Sequence, residues 1–439
     1  MNEGRRVRFI AAAALVAFGA LIVILHVADY QRVSPSDELQ HFDYMVRVVR
    51  DHEVVHRGDV FTQEALRTEA CRGVDYDFPA PACRAGAYDP RQFQEGGYNT
   101  AYIHGPAYYA ISGGIAAALS GAVGSDSIFT TGRLAGVLWL GAALVLMWLC
   151  MGEFGAGWPM RVVTLLLVIT APLVMEATST INPDATALLA GAAVLYVVLR
   201  VERGARWWPA GLVAVGAVLL KSTNLVAVGL GVLFLIIRHV QKGRAEAWGL
   251  RDRAAVWRTV LVVGVMGAGT AAVGAVWAGY SSSTARVPAM TIPMVKRYHT
   301  ESIGLRQVLR NVPTGITPLD TPYVPSEVKA LWVEPAAQLV DRLFLVGLAV
   351  AALLGAPGSR QRALAMATLV TLALVGPLMV VVNFLFQGTY VDIPRRYGLS
   401  LVPALAVALP ALLANRRVFQ AVAASATLVS LGTVLALIR

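Results

Sequence analysis

Charged residues are scarce in this sequence. Only 15% of the 439 residues are Asp, Glu, Lys or Arg, whereas soluble globular domains contain about 25%. Hydrophobic residues make up 56% of the chain, and the mean hydropathy is +0.61. These values exclude a soluble globular protein and predict an all-α polytopic membrane protein.

Cysteine is rare as well, with three residues in the chain. Cys71 and Cys83 share a hydrophilic segment that we place outside the membrane, in an oxidising compartment, so we expect a disulfide between them. Cys150 ends an apolar run, which is typical of a small buried hydrophobic residue. Two cysteines in the outer segment are too few for a zinc site of the usual kind.

The sequence also lacks a glycine-rich loop of the kind that cradles phosphate groups. Its 40 glycines are scattered through the apolar runs, where small residues allow helices to pack closely. The sequence therefore gives no indication of a nucleotide-binding site.

The net charge of +10 comes from basic residues grouped in short clusters between apolar runs. The clusters lie at 5–8, 200–206, 238–253, 360–362 and 416–417. This distribution follows the positive-inside rule, by which Lys and Arg mark cytoplasmic loops and contact anionic headgroups. The basicity therefore does not require nucleic acid as a partner.

Twelve apolar runs are candidates for membrane spans of about 20 residues each. They lie at 9–28, 106–124, 130–150, 160–178, 183–200, 208–221, 223–238, 256–279, 337–356, 363–386, 397–414 and 418–438. The first run is too long for the core of a secretory signal and has no small-residue cleavage site, so we interpret it as a retained span. We therefore expect about 11 to 13 transmembrane helices, and the richness in Ala, Val and Arg indicates a bacterial plasma membrane.

Two hydrophilic segments, 29–105 and 280–335, interrupt these runs. With the basic clusters inside, both segments are extracytoplasmic loops of a single transmembrane domain at 1–439. If all twelve runs crossed the membrane, the basic cluster at 200–206 would lie outside. One run between 106 and 178 must therefore be re-entrant, broken or doubled. The sequence favours a break at Ala171-Pro172 or in the glycine-rich 113–124, since proline interrupts a helix.

The first outer segment begins with Ser34-Pro35-Ser36-Asp37-Glu38, followed shortly by His41. As a helix start, Ser34 is a cap, Pro35 takes the first helical position, and the acids favour the positive end of the helix dipole. Asp37 and His41 are also four residues apart, so a carboxylate on the same helix face can orient the imidazole for proton transfer. The pattern fits both a capped interfacial helix and a catalytic pair.

Several short motifs follow Asp37-Glu38 and His41-Phe42 in order. They are His104-Gly105-Pro106-Ala107-Tyr108-Tyr109, Ser179-Thr180-Ile181-Asn182-Pro183-Asp184, Lys221-Ser222-Thr223-Asn224, and Arg396-Tyr397 before Leu401-Val402-Pro403. In this order they resemble the GT-C superfamily of polyprenyl-phosphate-sugar-dependent membrane glycosyltransferases, and an uncharacterised bacterial membrane-protein family related to it. The resemblance extends over the arrangement of spans and loops in the first half of the chain, and it includes the Arg396-Tyr397 motif near the C-terminus. Many relatives carry a large soluble C-terminal domain, which this sequence lacks.

The resemblance implies a GT-C-like helix bundle whose outer loop bears interfacial helices, and an inverting transfer of a sugar. Asp37 is the expected base for the acceptor hydroxyl, with Glu38 as the alternative. One carboxylate suffices because inversion needs no covalent sugar–enzyme intermediate. The residues expected to bind substrate are His41, Tyr102, His104, Asn182, Asp184, Lys221, Arg395 and Arg396.

The uncharged candidates and Asp184 also have structural interpretations. His41 fits an exposed position at the interface, and Tyr102 and His104 fit an aromatic belt. Asn182 can cap the helix that Asp184 begins. An acid at the start of an apolar run is costly against lipid, however, so Asp184 is expected to face a cavity or a partner.

The basic candidates have alternatives of their own. Lys221 lies between two apolar runs and either binds a phosphate or snorkels to the interface. Arg395 and Arg396 follow Asp392 in an outer loop, against the positive-inside rule. A phosphate ligand accounts for this, because guanidinium binds phosphate oxygens through two parallel hydrogen bonds. Pairing with Asp392 or with acids of the outer segment is the alternative.

The expected partners are a polyprenyl-phosphate sugar donor, a glycan, lipid or protein acceptor of the cell envelope, and membrane lipids. Asp37, Glu38 and Asp184 offer oxygen ligands to a divalent cation, but outer-loop acids are too common to define a site. Two other functions remain open. A transporter or flippase of lipid-linked sugars predicts repeats and charges within spans, and a non-catalytic assembly protein predicts that Asp37 only caps a helix.

Overall fold

The computed structural model describes residues 3–74, 80–123, 127–245, 253–319 and 333–438. These residues form helices and turns, with three isolated β-bridges and no β-strand. The first ten α-helices are α1 (Glu3–Asp29), α2 (Glu38–Val46), α3 (Gln63–Arg72), α4 (Ala107–Val123), α5 (Ile128–Leu134), α6 (Gly136–Glu153), α7 (Trp158–Ile169), α8 (Pro172–Ser179), α9 (Ala187–Glu202) and α10 (Trp208–Leu220).

The second half of the chain is helical as well. Its α-helices are α11 (Leu225–Ala245), α12 (Arg253–Ser283), α13 (Pro293–Tyr298), α14 (Leu305–Leu309), α15 (Val312–Ile316), α16 (Val333–Leu353), α17 (Arg360–Gln387), α18 (Val402–Ala408), α19 (Pro410–Leu413) and α20 (Arg416–Ile438). In the described parts of the chain, eight helices are long and apolar enough to cross a membrane, or nine if a bent pair counts as one span. The prediction of an all-helical chain with the long apolar helices of a polytopic membrane protein is confirmed.

The bent pair is α7 and α8, whose axes differ by 67°. Pro172 is the first residue of α8, and Ala171 before it has extended backbone angles of φ −68° and ψ 125°. Proline has no N–H to donate, and its ring disfavours a helical conformation in the preceding residue. The predicted break at Ala171-Pro172 is confirmed, and it places the end of α8 beside the start of α9.

Two glycines allow the helices around this break to pack closely. A Cβ atom at Gly136 of α6 would overlap the Thr178 carbonyl of α8, and one at Gly191 of α9 would overlap the Ser400 carbonyl. Small residues permit such backbone contacts between membrane helices. The segment before α18 is thereby held against α9, close to Asp184.

The first outer segment folds over one end of the bundle. Thr62 caps α3 by accepting a hydrogen bond from the Ala65 N–H, and a disulfide joins Cys71 of α3 to Cys83. The aromatic and aliphatic side chains of this segment form a buried cluster of their own with the start of α4. Cys150, by contrast, is a free and fully buried thiol.

Charges are distributed unequally between the two ends of the bundle. The two outer segments meet at one end, where Arg57 Nε donates to the Val287 carbonyl over 3.1 Å. Basic clusters gather at the other end, where Glu202 Oε1 is 3.2 Å from Arg238 Nη2 and Glu202 Oε2 is 2.9 Å from Arg360 Nε. This arrangement has the asymmetry that the positive-inside rule predicts.

Candidate functional site

A cavity of about 650 Å³ lies where the two outer segments meet the bundle. Its wall also includes Ser222 and Thr223, in the turn after α10, and the chain between α17 and α18. Other polar lining residues are Asp37, Gln40, His41, Glu69, Gln94, Glu95, His104, Arg297 and Arg396. The structure thus brings four of the sequence-predicted site residues, Asp37, His41, His104 and Arg396, to one surface.

Asp37 immediately precedes α2 and lies on the cavity wall. Its backbone is left-handed, with φ 66° and ψ 17°, a conformation that non-glycine residues adopt at some cost and that is concentrated at functional sites. Its side chain is 49% exposed and pairs through Oδ2 with Arg396 Nη2. Asp37 caps no N–H of α2 with its side chain, so its carboxylate is directed to the cavity and to Arg396.

Arg396 lies between two carboxylates. Besides the pair with Asp37, its Nε is 3.2 Å from Asp184 Oδ2. Asp184 Oδ1 in turn pairs with Lys221 Nζ, and Lys221 lies 4.8 Å from the centre of the Tyr397 ring. This group of two acids and two bases has no net formal charge.

The two basic residues differ in access to the cavity. Lys221 and Asp184 are almost fully buried and do not line it, whereas Arg396 does. Direct phosphate binding by Lys221 is therefore not supported in this conformation, because its ammonium is enclosed behind Arg396. Arg395, although adjacent in sequence, is not a lining residue.

His41 and His104 face each other, with ring centres 5.4 Å apart. His41 Nδ1 shares a hydrogen bond of 2.7 Å with the Tyr109 hydroxyl, whereas His104 Nδ1 is buried without a partner among the described residues. Burial lowers the pKa of both imidazoles well below its usual value, and neighbouring cations reinforce the effect. Both are therefore neutral near pH 7 and can donate or accept a hydrogen bond. Tyr102 is buried and is not a lining residue.

Glu38, the alternative base, occupies a closed environment. Its Oε1 and Oε2 are 2.8 and 2.5 Å from Nε and Nη2 of Arg133, and they also accept the backbone N–H groups of Ser34 and Ile181 over 2.7 and 2.8 Å. The side chain is fully buried and does not line the cavity. This geometry contradicts Glu38 as a base, because its oxygens are already engaged and no substrate can reach them.

Asn182 connects the start of α9 to the segment before Asp37. Its Oδ1 accepts the Asp184 N–H over 2.9 Å, and its Nδ2 donates to the Ser36 carbonyl over 2.9 Å. Asn182 is buried and does not line the cavity. It therefore caps the turn and holds Asp37 and Asp184 in position, rather than contacting a ligand directly.

Sequence reasoning missed two ionisable residues that shape the site. Arg133 holds Glu38, and Glu176 accepts hydrogen bonds from the hydroxyls of Ser34 and Ser36. Arg133 is the only charged residue of the run 130–150, and Glu176 is the only acid of the run 160–178. Charged residues within apolar runs normally face a partner or a cavity. That signal was available in the sequence and indicates where the loop before Asp37 is anchored.

A row of amide and carboxylate side chains along the cavity was also missed. Gln40 Nε2 donates to Gln94 Oε1 over 3.1 Å, and Gln94 Nε2 donates to Glu69 Oε2 over 2.8 Å. Burial raises the pKa of Glu69 to about 6. Glu95 continues the row with Oε1 3.5 Å from Arg297 Nη2. We call these four residues, Gln40, Glu69, Gln94 and Glu95, the acid–amide wall.

The described residues contain no group of three or more His, Cys, Asp or Glu side chains placed to hold a metal ion. The three acids that offered oxygen ligands, Asp37, Glu38 and Asp184, are each paired with Arg or Lys instead. An accessible carboxylate beside a guanidinium and two neutral imidazoles can accept a proton and stabilise an anion. Comparisons with family models, curated proteins and solved structures find no match to this chain.

Proposed function

We propose that the protein is an inverting glycosyltransferase that moves a sugar from a polyprenyl phosphate to an acceptor of the cell envelope, on the extracytoplasmic face. The observation that carries this proposal is the pairing of Asp37 with Arg396 on a cavity wall between the two outer segments. Asp37 is accessible and follows a turn that Asn182 holds by a hydrogen bond to the Ser36 carbonyl, and Arg396 is the adjacent group suited to a phosphate. The order of the sequence motifs, which resembles the GT-C superfamily, supports the same reading.

The reaction needs a proton acceptor and a site for the leaving group. The acceptor hydroxyl oxygen attacks the anomeric carbon while the Asp37 carboxylate takes the hydroxyl proton. The bond between the anomeric carbon and the phosphate oxygen breaks, and its electron pair leaves with the polyprenyl phosphate. One carboxylate is sufficient, because the displacement inverts the anomeric centre in a single step.

Arg396 suits the departing phosphate. Its guanidinium offers planar, parallel donors for phosphate oxygens, and its charge is balanced by Asp37 and Asp184. A donor phosphate at Arg396 replaces the Asp37 carboxylate as its partner. Donor binding thereby releases Asp37 to act as the base, while Lys221 continues to neutralise Asp184.

The last turns of α17 fit a donor that is carried by lipid. Asn383 and Gln387 line the cavity, whereas Leu385 and Phe386 between them are 71% and 81% exposed. Large exposed apolar side chains on a spanning helix are suited to contact lipid. A polyprenyl chain can lie against this face of α17 while its phosphate enters the cavity. We also propose that α4, α10 and α16 lie in the bilayer with the nine candidate spans, which gives a GT-C-like bundle of twelve segments.

The proposal is tested by measuring release of polyprenyl phosphate from a panel of polyprenyl-phosphate sugars, with envelope extract as the acceptor. The variants are Asp37→Asn and a control, Asp51→Asn, which removes an exposed acid of the same outer segment. Asn adopts left-handed backbone angles readily, so Asp37→Asn is expected to fold normally. We expect it to lower the release rate about 100-fold or more, the effect of losing a general base, and Asp51→Asn to match the wild type.

Two outcomes would count against the proposal. Unchanged release by Asp37→Asn would exclude Asp37 as the base. An absence of release from any donor, with folded wild-type protein, would indicate transport or envelope assembly instead of transfer.

A further inference from the structure

The acid–amide wall is continuous with the candidate base. Gln40 lies in the first turn of α2, three residues after Asp37, and both residues line the cavity. Gln94 links Gln40 to Glu69 by hydrogen bonds of 3.1 and 2.8 Å. The loop bearing Gln94 and Glu95 and the disulfide-anchored helix α3 bearing Glu69 therefore complete one wall with α2.

Three oxygens of this wall have no hydrogen-bond partner in the part of the chain that the structure describes. They are Gln40 Oε1, Glu69 Oε1 and Glu95 Oε2. Gln40 is only 3% exposed and Glu69 is fully buried, and buried polar atoms in proteins are normally paired. Within the described residues no Lys or Arg forms an ion pair with Glu69. Unlike Glu38, all three residues line the cavity. A small movement of their side chains therefore exposes acceptors that a ligand with several O–H donors would satisfy.

We propose that the acid–amide wall binds the acceptor, and that this acceptor is a glycan rather than a lipid or a protein. The inference rests on the transfer proposed above and specifies the acceptor left open there. Sugar hydroxyls both donate and accept, which matches a wall that contains two amides and two carboxyl groups. The four side chains of the wall are polar, so they offer hydrogen bonds and not the apolar contact that a lipid chain needs. The Phe93 ring also lines the cavity and offers an apolar surface to the C–H face of a sugar.

Binding is tested without any donor, on the purified full-length protein in detergent. The probes are the methyl glycosides of glucose, galactose, mannose and arabinose, with hexane-1,6-diol, hexylamine and triglycine as non-sugar probes. The readout is a saturable rise in melting temperature. The variants are Glu69→Gln and Glu64→Gln, since Glu64 lies on the same helix but pairs with Arg50 outside the cavity. We expect at least one glycoside to bind, Glu69→Gln to weaken it about tenfold or more, and Glu64→Gln to leave it unchanged.

A kinetic measurement separates this inference from the proposed function. In the polyprenyl-phosphate release assay, Glu69→Gln should raise the acceptor KM while leaving the donor KM unchanged. If no donor supports release but glycosides still bind through Glu69, the transfer proposal fails and the glycan site stands. The glycan site is overturned if the wild type binds no glycoside, if Glu69→Gln binds as the wild type does, or if hexylamine, hexanediol or triglycine binds in the same Glu69-dependent way.

Discussion

At the residue scale, two carboxylates that are neighbours in sequence have opposite environments. Asp37 is half exposed and paired with one arginine on a cavity wall, whereas Glu38 is enclosed by Arg133 and two backbone N–H groups. The backbone at Asp37 is left-handed, and the side chains of Asp37 and Glu38 point to different surroundings. One residue is therefore available to a ligand, and the next anchors the loop that presents it.

The sequence predicted that a charged residue has a partner where its position would otherwise be unfavourable. The outer-loop position of Arg396 predicted an anionic partner, and the structure supplies Asp37 and Asp184. The start of an apolar run predicted a partner for Asp184, which is Lys221 together with Arg396. The choice between Asp37 and Glu38 was not predictable, because it depends on Arg133, which lies far along the chain.

The raised pKa of Glu69 gives a prediction of pH-dependent stability. Its pKa is about 6 in the folded protein against a usual 4.5, because burial disfavours the charged form. The neutral form therefore stabilises the fold fully below about pH 4.5, and this contribution is lost as the pH rises through 6. A shift of this size corresponds to about 2 kcal/mol, at about 1.4 kcal/mol per pKa unit.

The Glu69→Gln variant has no carboxyl group to ionise, so it does not lose stability in this way as the pH rises. We expect its free energy of unfolding, relative to the wild type, to rise by about 2 kcal/mol between pH 4.5 and 7.5. Thermal or chemical unfolding of the purified proteins across that range measures the difference. A difference that stays constant with pH would contradict the burial of a titrating carboxyl at this position.

At the element scale, the position of the site depends on a broken span and on close helix contacts. The bend between α7 and α8 brings Glu176 to the serines before Asp37, and Gly191 lets the chain around Ser400 approach α9. The break and the long apolar helices could be predicted from local sequence, since proline and apolar length are local signals. The acid–amide wall could not, because Gln40, Glu69 and Gln94 meet only through the fold of the outer segment.

The contact at Gly191 can be tested directly. Gly191→Ala places a Cβ against the Ser400 carbonyl oxygen, so α9 and the Arg396-bearing segment must separate. We expect a loss of about 1–3 kcal/mol in stability, as in other overpacked sites. Gly216→Ala in α10 is the control, because its Cβ meets no atom within 4 Å. Equal melting temperatures for the two variants would show that the close approach is not needed.

At the scale of the whole molecule, the charges divide the bundle into two ends. The cavity and both outer segments lie at one end, and the basic clusters around Glu202 lie at the other. The basic clusters can gather at one end only if each span crosses in the right direction. This separation of charge is therefore a property of the complete fold. It predicts which end faces the cytoplasm, because positively charged loops are retained there.

Labelling of single cysteines in intact cells tests this orientation. Glu301→Cys adds an exposed thiol in the second outer segment, and Arg206→Cys adds one in a basic cluster. We expect a membrane-impermeant maleimide to label the first variant in intact cells and the second only after permeabilisation. The native Cys150 is buried and Cys71 is bonded to Cys83, so the background should be low. The reverse pattern would place the cavity in the cytoplasm and exclude an extracytoplasmic transfer.

The most direct test of the central claim is a structure of the full-length protein with polyprenyl phosphate bound. The claim predicts phosphate oxygens within hydrogen-bonding distance of the Arg396 guanidinium, the polyprenyl chain along the exposed face of α17, and Asp37 released from its ion pair. A phosphate bound elsewhere, with the Asp37–Arg396 pair intact, would contradict the assignment of Arg396 to the leaving group and of Asp37 to the base.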